Sequence, residues 1–215
     1  MKKDLTELVF ILDRSGSMSG LESDTIGGYN GLLDKQRNEV GEAIITTVLF
    51  DDKYELLHDR INVKGVAPIT NKDYFVRGTT ALLDAVGKTI VKIESAQAHT
   101  TEDECPEKTL VVITTDGMEN ASREFTKDKV KEMVERMQKE HGWEFIFLGA
   151  NIDSIKTAGG IGIRADRTAN YHADSIGTAQ NFCAVSAVAS NLRTSRNVSD
   201  DWKKDIDKDY KNRKK

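Results

Sequence analysis

The chain has 215 residues, of which 38% are hydrophobic and 31% are charged, and its formal net charge at pH 7 is −4. This length and composition suit one globular domain with a short appendage, and we expect no disulfide framework from the two distant cysteines, Cys105 and Cys183. No apolar run approaches the ~18 residues of a membrane-spanning helix, and no signal-peptide pattern precedes the first strand, so we expect a cytoplasmic protein that has no membrane partner.

The first predicted element is a buried strand, residues 8–12, which ends abruptly in polar residues. Asp13, Ser15 and Ser17 follow it at alternate positions, and Gly16 between the serines allows a sharp turn. Apolar runs of this length are typical of parallel strands covered on both faces, and sites in such sheets lie beyond the carboxyl ends of the strands. One carboxylate and two hydroxyls are hard oxygen donors, a set that suits Mg²⁺, Ca²⁺ or Mn²⁺.

A helix and a hairpin are predicted next. Residues 21–36 carry apolar side chains at helical spacing, with Ser23 or Asp24 expected as the N-cap. Residues 43–50 are rich in β-branched side chains and predict a strand. Residues 54–58 are expected to return beside that strand as an antiparallel edge of the sheet.

A long connection over residues 59–76 shows no sustained period, and long connections in compact domains often have a function. It leads to Thr79 and Thr80, where a helix is expected to begin. A second buried strand, residues 110–115, then ends in Asp116. Because parallel strands end at a common edge, we expect these polar residues to lie near those that follow the first strand.

The second half of the chain continues the alternation of helices and strands. Thr126 and Asp174 are expected to cap two helices, and residues 143–148 predict another buried strand. Asn151 and Asp153 follow that strand, and we interpret them as helix-capping residues. The pattern predicts an α/β fold, a three-layer α/β/α sandwich with a mostly parallel central sheet and one antiparallel edge strand.

The chain contains three motifs in the order Asp13-Arg-Ser-Gly-Ser17, Gly78-Thr-Thr-Ala-Leu82 and Thr115-Asp-Gly117. Together they resemble the von Willebrand factor A domain family, and the resemblance covers residues 5 to about 165. It implies a Rossmann-like sandwich with a metal-ion-dependent adhesion site, in an intracellular single-domain member of the bacterial type. Thr80 matches the donor position of the family, whereas Thr79 stands where a glycine is more usual. The metal-site residues that the resemblance implies are Asp13, Ser15, Ser17, Thr80 and Asp116.

The resemblance implies protein recognition and no catalysis. If the aspartates act through water, the neutral hydroxyl donors leave most of the cation's charge uncompensated, so the cation favours an external anionic ligand. The most natural ligand is an Asp or Glu carboxylate of a protein partner. Intracellular members of this family commonly serve as adaptors in multi-protein assemblies, sometimes with ATPases.

The main alternative is a metal-dependent hydrolase of the phosphoaspartate type, with Asp13 as its nucleophile. Such enzymes are expected to have a second aspartate two residues after the first, and this chain has Ser15 there. The sequence also contains no Gly-x-Ser-x-Gly motif, no Gly-x-x-x-x-Gly-Lys phosphate loop and no Cys/His metal cluster. We therefore expect that the protein is not an enzyme.

The last part of the chain, residues 193–215, is predicted to be a charged tail on a von Willebrand factor A-like domain of residues 1–192. The tail contains nine Lys or Arg and five Asp, so nucleic-acid binding is a weaker alternative, which the interleaved aspartates disfavour. Trp202, Ile206 and Tyr210 lie four residues apart. This spacing allows either a solvated tail or a short helix that docks on the domain.

Overall fold

The computed structural model describes residues 1–195 and 197–213, and it has a six-stranded sheet with helices on both faces. The predicted three-layer sandwich is therefore confirmed. The strands are β1 (Lys2–Asp13), β2 (Glu42–Phe50), β3 (Tyr54–Asn62), β4 (Pro106–Thr115), β5 (Glu144–Ala150) and β6 (Thr168–Tyr171). The helices are α1 (Glu22–Arg37), α2 (Leu82–Ala98), α3 (Lys127–His141), α4 (Ser154–Gly160), α5 (Ser175–Ser195) and α6 (Lys204–Asn212).

The sheet has the strand order β3-β2-β1-β4-β5-β6, and its neighbouring pairs run parallel except for β2 and β3. The predicted antiparallel edge strand is thus β3. Asp13 pairs with Phe50 of β2, and Thr114 of β4 lies opposite the residue before Asp13. The strands β2, β1 and β4 therefore end together, which brings Asp51, Asp13 and Asp116 to one edge of the sheet.

Alternate side chains of β1 enter two separate apolar cores. Leu8 and Phe10 belong to the core that includes side chains of α1, α5 and α6, whereas Val9 and Ile11 belong to the core formed with α2, α3 and α4. Successive side chains of a strand point to opposite faces, so one continuous apolar run supplies both layers. Burial of each such side chain stabilises the fold by about 1.5–3 kcal/mol.

The start of α1 differs from the prediction. The helix begins at Glu22 with Leu21 in the N-cap position, which has no capping side chain. The expected caps, Ser23 and Asp24, are therefore wrong, because both lie inside the first turn. Gly28 of this helix lies against α5, where an added Cβ would stand 2.2 Å from the ring of Phe182.

The start of α2 also differs, since the helix begins at Leu82 and not at Thr80. Its first free backbone N–H groups are bound by side chains from a distant segment: Glu119 accepts from the amide of Leu83, and Ser122 accepts from that of Asp84. Because these side chains cap the helix, the hydroxyl of Thr80 is not needed as a cap.

Three other helices are capped as predicted. Thr126 accepts a hydrogen bond at the start of α3, Asp153 does so at α4, and Asp174 accepts from the third residue after it at α5. The N-cap of α4 is Asp153 and not Asn151, so the capping role expected of Asn151 is wrong; Asn151 lies in the turn after β5 with a φ of 54°. In the part of the chain that the structure describes, none of the helices is both long and apolar enough to span a membrane.

The predicted tail packs against the body of the protein. Helix α5 continues to Ser195, past the predicted boundary at residue 192. Trp202 and Ile206 are buried in the core on the α1 and α5 side, and the indole N–H of Trp202 donates to the carbonyl of Asp166 over 2.8 Å. Of the two forms that the sequence allowed, residues 197–213 have the docked one. The division into a domain and a tail stays a prediction.

Candidate metal site

Asp13 ends β1 and is buried at the carboxyl edge of the sheet, with 1% of its surface exposed. One carboxylate oxygen accepts from the backbone N–H of Ser15 at 2.7 Å, and the other accepts from the hydroxyl of Thr115 at 2.6 Å. Its carbonyl accepts from the hydroxyl of Tyr74. Both carboxylate oxygens therefore have fixed directions, and they hold the start of the loop of residues 14–17, here called the serine loop.

Three hydroxyl groups from two segments of the chain meet beside Asp13. The Oγ atoms of Ser15 and Ser17 are 3.1 Å apart, and Oγ1 of Thr80 is 3.0 Å from Oγ of Ser15. Ser15 and Thr80 are buried, whereas Ser17 is exposed. These three hydroxyls, the hydroxyl cluster, are therefore buried on the side of Ser15 and Thr80 and open to solvent on the side of Ser17.

Asp116 follows β4 and completes the arrangement. Its Oδ1 accepts from the hydroxyl of Ser17 at 2.5 Å. Its Oδ2 is buried and has no hydrogen-bond partner within the described residues. A buried carboxylate oxygen without a donor is costly unless something else compensates its charge. A cation would provide that compensation.

Gly117 keeps the space between these groups open. A Cβ atom added at this position would stand 2.8 Å from Oγ1 of Thr80 and 3.1 Å from Oγ of Ser17. Only a residue without a side chain leaves the three hydroxyls clear on this side. The space that Gly117 preserves, together with the unpaired oxygen of Asp116, fits an ion.

The chemistry of the donors defines the kind of ion. Among the described residues, no group of three or more His, Cys, Asp and Glu side chains is placed to hold a metal. A site here must rely on hydroxyl oxygens together with the two carboxylates. Such hard donors suit Mg²⁺, Ca²⁺ or Mn²⁺ better than soft metals.

Thr80 is held in place by a second loop. Its amide donates to the side-chain oxygen of Asn120 at 2.9 Å, and its carbonyl accepts from the amides of Asn120 and Ala121 at 3.0 and 3.2 Å. Thr79, the other candidate donor, is exposed, and it is Oγ1 of Thr80 that bonds the hydroxyl of Ser15. The geometry therefore brings Thr80, and not Thr79, together with Ser15, Ser17, Asp13 and Asp116.

Sequence reasoning missed two residues that orient Asp13, namely Thr115 and Tyr74. Thr115 is the last residue of β4, and the motif Thr115-Asp-Gly117 contains the signal that could have identified it. Tyr74 lies in the long connection after β3, where the sequence has no periodic pattern. Its contact with the carbonyl of Asp13 depends entirely on tertiary structure.

The two carboxylates have raised pKa values. Burial raises the pKa of Asp13 to about 6, although hydrogen bonds from Thr115 and Ser15 oppose the shift, and the charge of Asp116 adds to it. Burial likewise raises the pKa of Asp116. Each carboxylate is therefore costly to ionise in the folded protein. A bound cation would relieve this cost.

We predict that the metal-free protein loses stability as the pH rises from about 4 to about 6. Folded Asp13 keeps its proton until about pH 6, whereas the unfolded side chain ionises near 3.8, so the unfolded state binds fewer protons in this window. The shift corresponds to on the order of 3 kcal/mol. The variant Asp13→Asn has no proton to lose and should show a flatter profile.

Urea unfolding in the presence of a chelator, at pH 4.5 and at pH 7, measures this effect in wild type and in Asp13→Asn. The difference in unfolding free energy between the two proteins should change with pH. Equal differences at both pH values would contradict the prediction. Magnesium binding should also weaken below pH 6, because a protonated carboxylate does not attract a cation.

Comparison with known proteins gives matches in structure only, since no family model and no curated protein matches the sequence. The manganese-loaded TRAP protein of Plasmodium vivax is 17% identical, with a TM-score of 0.56, over 85% of this chain and 74% of that one. A von Willebrand factor type A protein from Catenulispora acidiphila is 12% identical, with a TM-score of 0.59, over 88% of this chain and 43% of that one.

Proximal thread matrix protein 1 from the mussel byssus, in a structure with a zinc-occupied MIDAS motif, is 15% identical, with a TM-score of 0.58, over 88% of this chain and 47% of that one. This chain thus spans about half the length of the mussel protein. At these identities the likeness is one of fold, and it agrees with the resemblance that the three motifs predicted.

Proposed function

We propose that this chain, which has the fold of von Willebrand factor A domains, recognises a protein partner through a divalent cation. The observation that carries the proposal is the meeting of three hydroxyls, from Ser15, Ser17 and Thr80, beside the unpaired buried oxygen of Asp116. Two separate segments supply these groups, and Gly117 leaves the space between them free.

The residues divide into two roles in this proposal. Ser15, Ser17 and Thr80 would hold the ion as neutral donors, and Asp116 would supply charge through its free oxygen. Asp13 would supply charge while its two oxygens orient the loop, because both already accept hydrogen bonds. A bound Mg²⁺, Ca²⁺ or Mn²⁺ would act as a Lewis acid for an Asp or Glu carboxylate of the partner.

The surface around the donors supports a role in binding. Ser17 is exposed, so a partner can reach the site. Met118, directly after Gly117, is 72% exposed, and Phe75 on the connection that leads to Thr80 is 42% exposed. Exposed apolar side chains beside a polar centre are typical of protein-binding surfaces. The manganese and zinc of two matched structures support a divalent cation.

The geometry argues against the hydrolase alternative. A phosphoaspartate enzyme needs a nucleophilic carboxylate that substrate can reach, yet Asp13 is 1% exposed and both its oxygens accept hydrogen bonds. Ser15 occupies the position of the second aspartate. We therefore propose a binding module without enzymatic activity.

The weaker alternative, nucleic-acid binding through the tail, is also disfavoured. Arg213 forms ion pairs with Asp174 and Asp209, and the ammonium group of Lys203 donates to two backbone carbonyls. These cations are engaged within the protein and are less available to phosphates.

The two cysteines are free thiols, which supports the expected cytoplasmic location.

A capture experiment tests the proposed function. Immobilised protein is incubated with a lysate in magnesium or in chelator, alongside the variants Asp13→Ala and Thr79→Ala. We expect a specific partner that is retained in magnesium by wild type and Thr79→Ala, and lost in chelator and with Asp13→Ala. A partner that binds equally in chelator would contradict a metal-dependent mode of recognition.

A further inference from the structure

A cluster of buried charges lies beside the hydroxyls and shares the same loop. Arg14 stands between Asp13 and Ser15 in the sequence, and its side chain is fully buried, the largest side chain of which this is true in the described residues. Asp51, the residue after β2, is also fully buried. Because a buried arginine is rare unless its charge is paired, we expect Arg14 to have acidic partners nearby.

The ion cluster consists of Arg14, Asp51, Glu55 and Arg77. Arg14 pairs with Glu55 at 2.5 Å and with Asp51 at 3.4 Å, and Nε of Arg77 donates to the same oxygen of Asp51 at 2.5 Å. The guanidinium groups of both arginines lie over the ring of Phe75, at 5.5 and 5.3 Å from its centre. Asp51 therefore joins the serine loop to the segment that leads to Thr80.

Backbone hydrogen bonds reinforce this link on both sides of Thr80. The amide of Arg77 donates to the carbonyl of Arg14 at 2.9 Å, and the amide of Ala81 donates to the carbonyl of Asp51 at 2.8 Å. Residues 77–81 are thus bound at their start to the serine loop and at their end to the turn after β2. The hydroxyl of Thr80 is carried between these two points.

Gly78 shows how closely this segment approaches its surroundings. Its φ is +64°, and an added Cβ would lie 2.2 Å from the carboxylate of Asp52. Its carbonyl accepts from the amide of Gly16 at 3.2 Å, in the middle of the serine loop. Glycine at this position therefore lets the segment lie close to the turn after β2, where a side chain would meet the carboxylate of Asp52.

We propose that Arg14, Asp51 and Arg77 are positioning residues of the metal site, which set the distance between Thr80 and the serine hydroxyls without donating to the ion. The proposal rests on the proposed metal site and adds residues that the three motifs do not assign. Groups that orient metal ligands typically affect metal affinity by about 10–100-fold when they are removed.

For the variant Arg77→Met, a purely electrostatic role and a positioning role of Arg77 predict opposite changes in magnesium affinity. Arg77 is a cation near a cation site, so the loss of its charge alone should strengthen metal binding. If Arg77 positions Thr80, its loss should weaken binding instead. Methionine keeps the apolar contact with Phe75, and the side chain of Arg77 is 36% exposed, so the variant should fold. Lys53→Met is the matched control, because Lys53 is an exposed cation on the same turn as Asp51.

Calorimetric titration with magnesium alone tests the proposal, with a thermal melt to confirm that each variant is folded. We expect Arg77→Met to bind magnesium about tenfold more weakly than wild type, and Lys53→Met to bind at least as tightly as wild type. Unchanged or tighter binding by Arg77→Met would overturn the positioning role. Failure of wild type itself to bind magnesium, calcium or manganese would overturn the proposed metal site as well.

A double-mutant cycle separates positioning from a general loss of structure. If Arg77 acts through Thr80, then Arg77→Met should have little further effect on magnesium affinity in a Thr80→Ala background. Full additivity of the two substitutions would overturn the proposal, because it would mean that Arg77 acts independently of Thr80.

Discussion

Replacing either aspartate of the candidate metal site by alanine is expected to abolish binding of magnesium and of the protein partner together. Thr80→Ala, in contrast, should keep measurable magnesium binding and lose most partner binding. The reason is charge: Asp13 and Asp116 attract the cation over several ångströms, whereas the threonine contributes one neutral oxygen. We expect a loss of more than about 100-fold for the aspartates and of about tenfold for the threonine.

The structure explains why partner binding should respond differently. Oγ1 of Thr80 lies 3.0 Å from Oγ of Ser15, on a segment other than that of the serines. Without this oxygen the two serines and Asp116 can still hold an ion, but one position of its coordination sphere changes. A partner carboxylate needs a sphere of defined shape, so its affinity should fall further than that of the ion.

Calorimetry with magnesium, run beside the capture experiment, tests this order. Asp13→Asn accompanies Asp13→Ala, because the amide keeps the shape of the buried carboxylate and removes only its charge. Asp128→Ala is the control for loss of one exposed carboxylate on α3. Wild-type partner binding by Thr80→Ala in magnesium would mean that this threonine is not part of the working site.

The elements that the sequence predicted correctly have strong local signals. The run of residues 8–12 before Asp13 is apolar at every position because β1 is covered on both faces. Residues 110–113 of β4 form a similar apolar run, which two threonines separate from Asp116. A polar residue that directly follows such a run marks the carboxyl edge of the sheet. The order of the motifs then predicts that Thr80 lies beside the serine loop.

The features that the sequence did not reveal depend on contacts between distant segments. Glu119 caps α2 from a loop 36 residues away, so no local pattern moves the predicted start of the helix from Thr80 to Leu82. No local pattern indicates that Arg14 is buried, because its partners are Glu55 on β3 and Asp51 after β2. Tyr74 belongs to a stretch without periodicity. Tertiary structure alone places these residues.

The docking of the C-terminal segment also depends on contacts with distant residues. It leads to the prediction with the largest effect on stability. Trp202→Ala should destabilise the protein by about 3–5 kcal/mol, the usual cost of removing a buried aromatic side chain. Trp202 is 9% exposed and lies in the same core as Ile206 and Val198. Its indole N–H also donates to the carbonyl of Asp166, which would lose this partner in the variant.

This destabilisation should be visible as a fall of roughly 10 °C in the melting temperature, because 1 kcal/mol corresponds to about 2–4 °C in a domain of this size. Lys204→Ala, which replaces an exposed residue of the same segment, should melt like wild type. If Trp202→Ala melted within about 1 °C of wild type, the segment would be an appendage to a core that is complete without it. A large fall would mean that residues 197–213, despite their charged composition, are an integral part of the fold, since a few buried apolar side chains suffice to hold a segment that is otherwise polar.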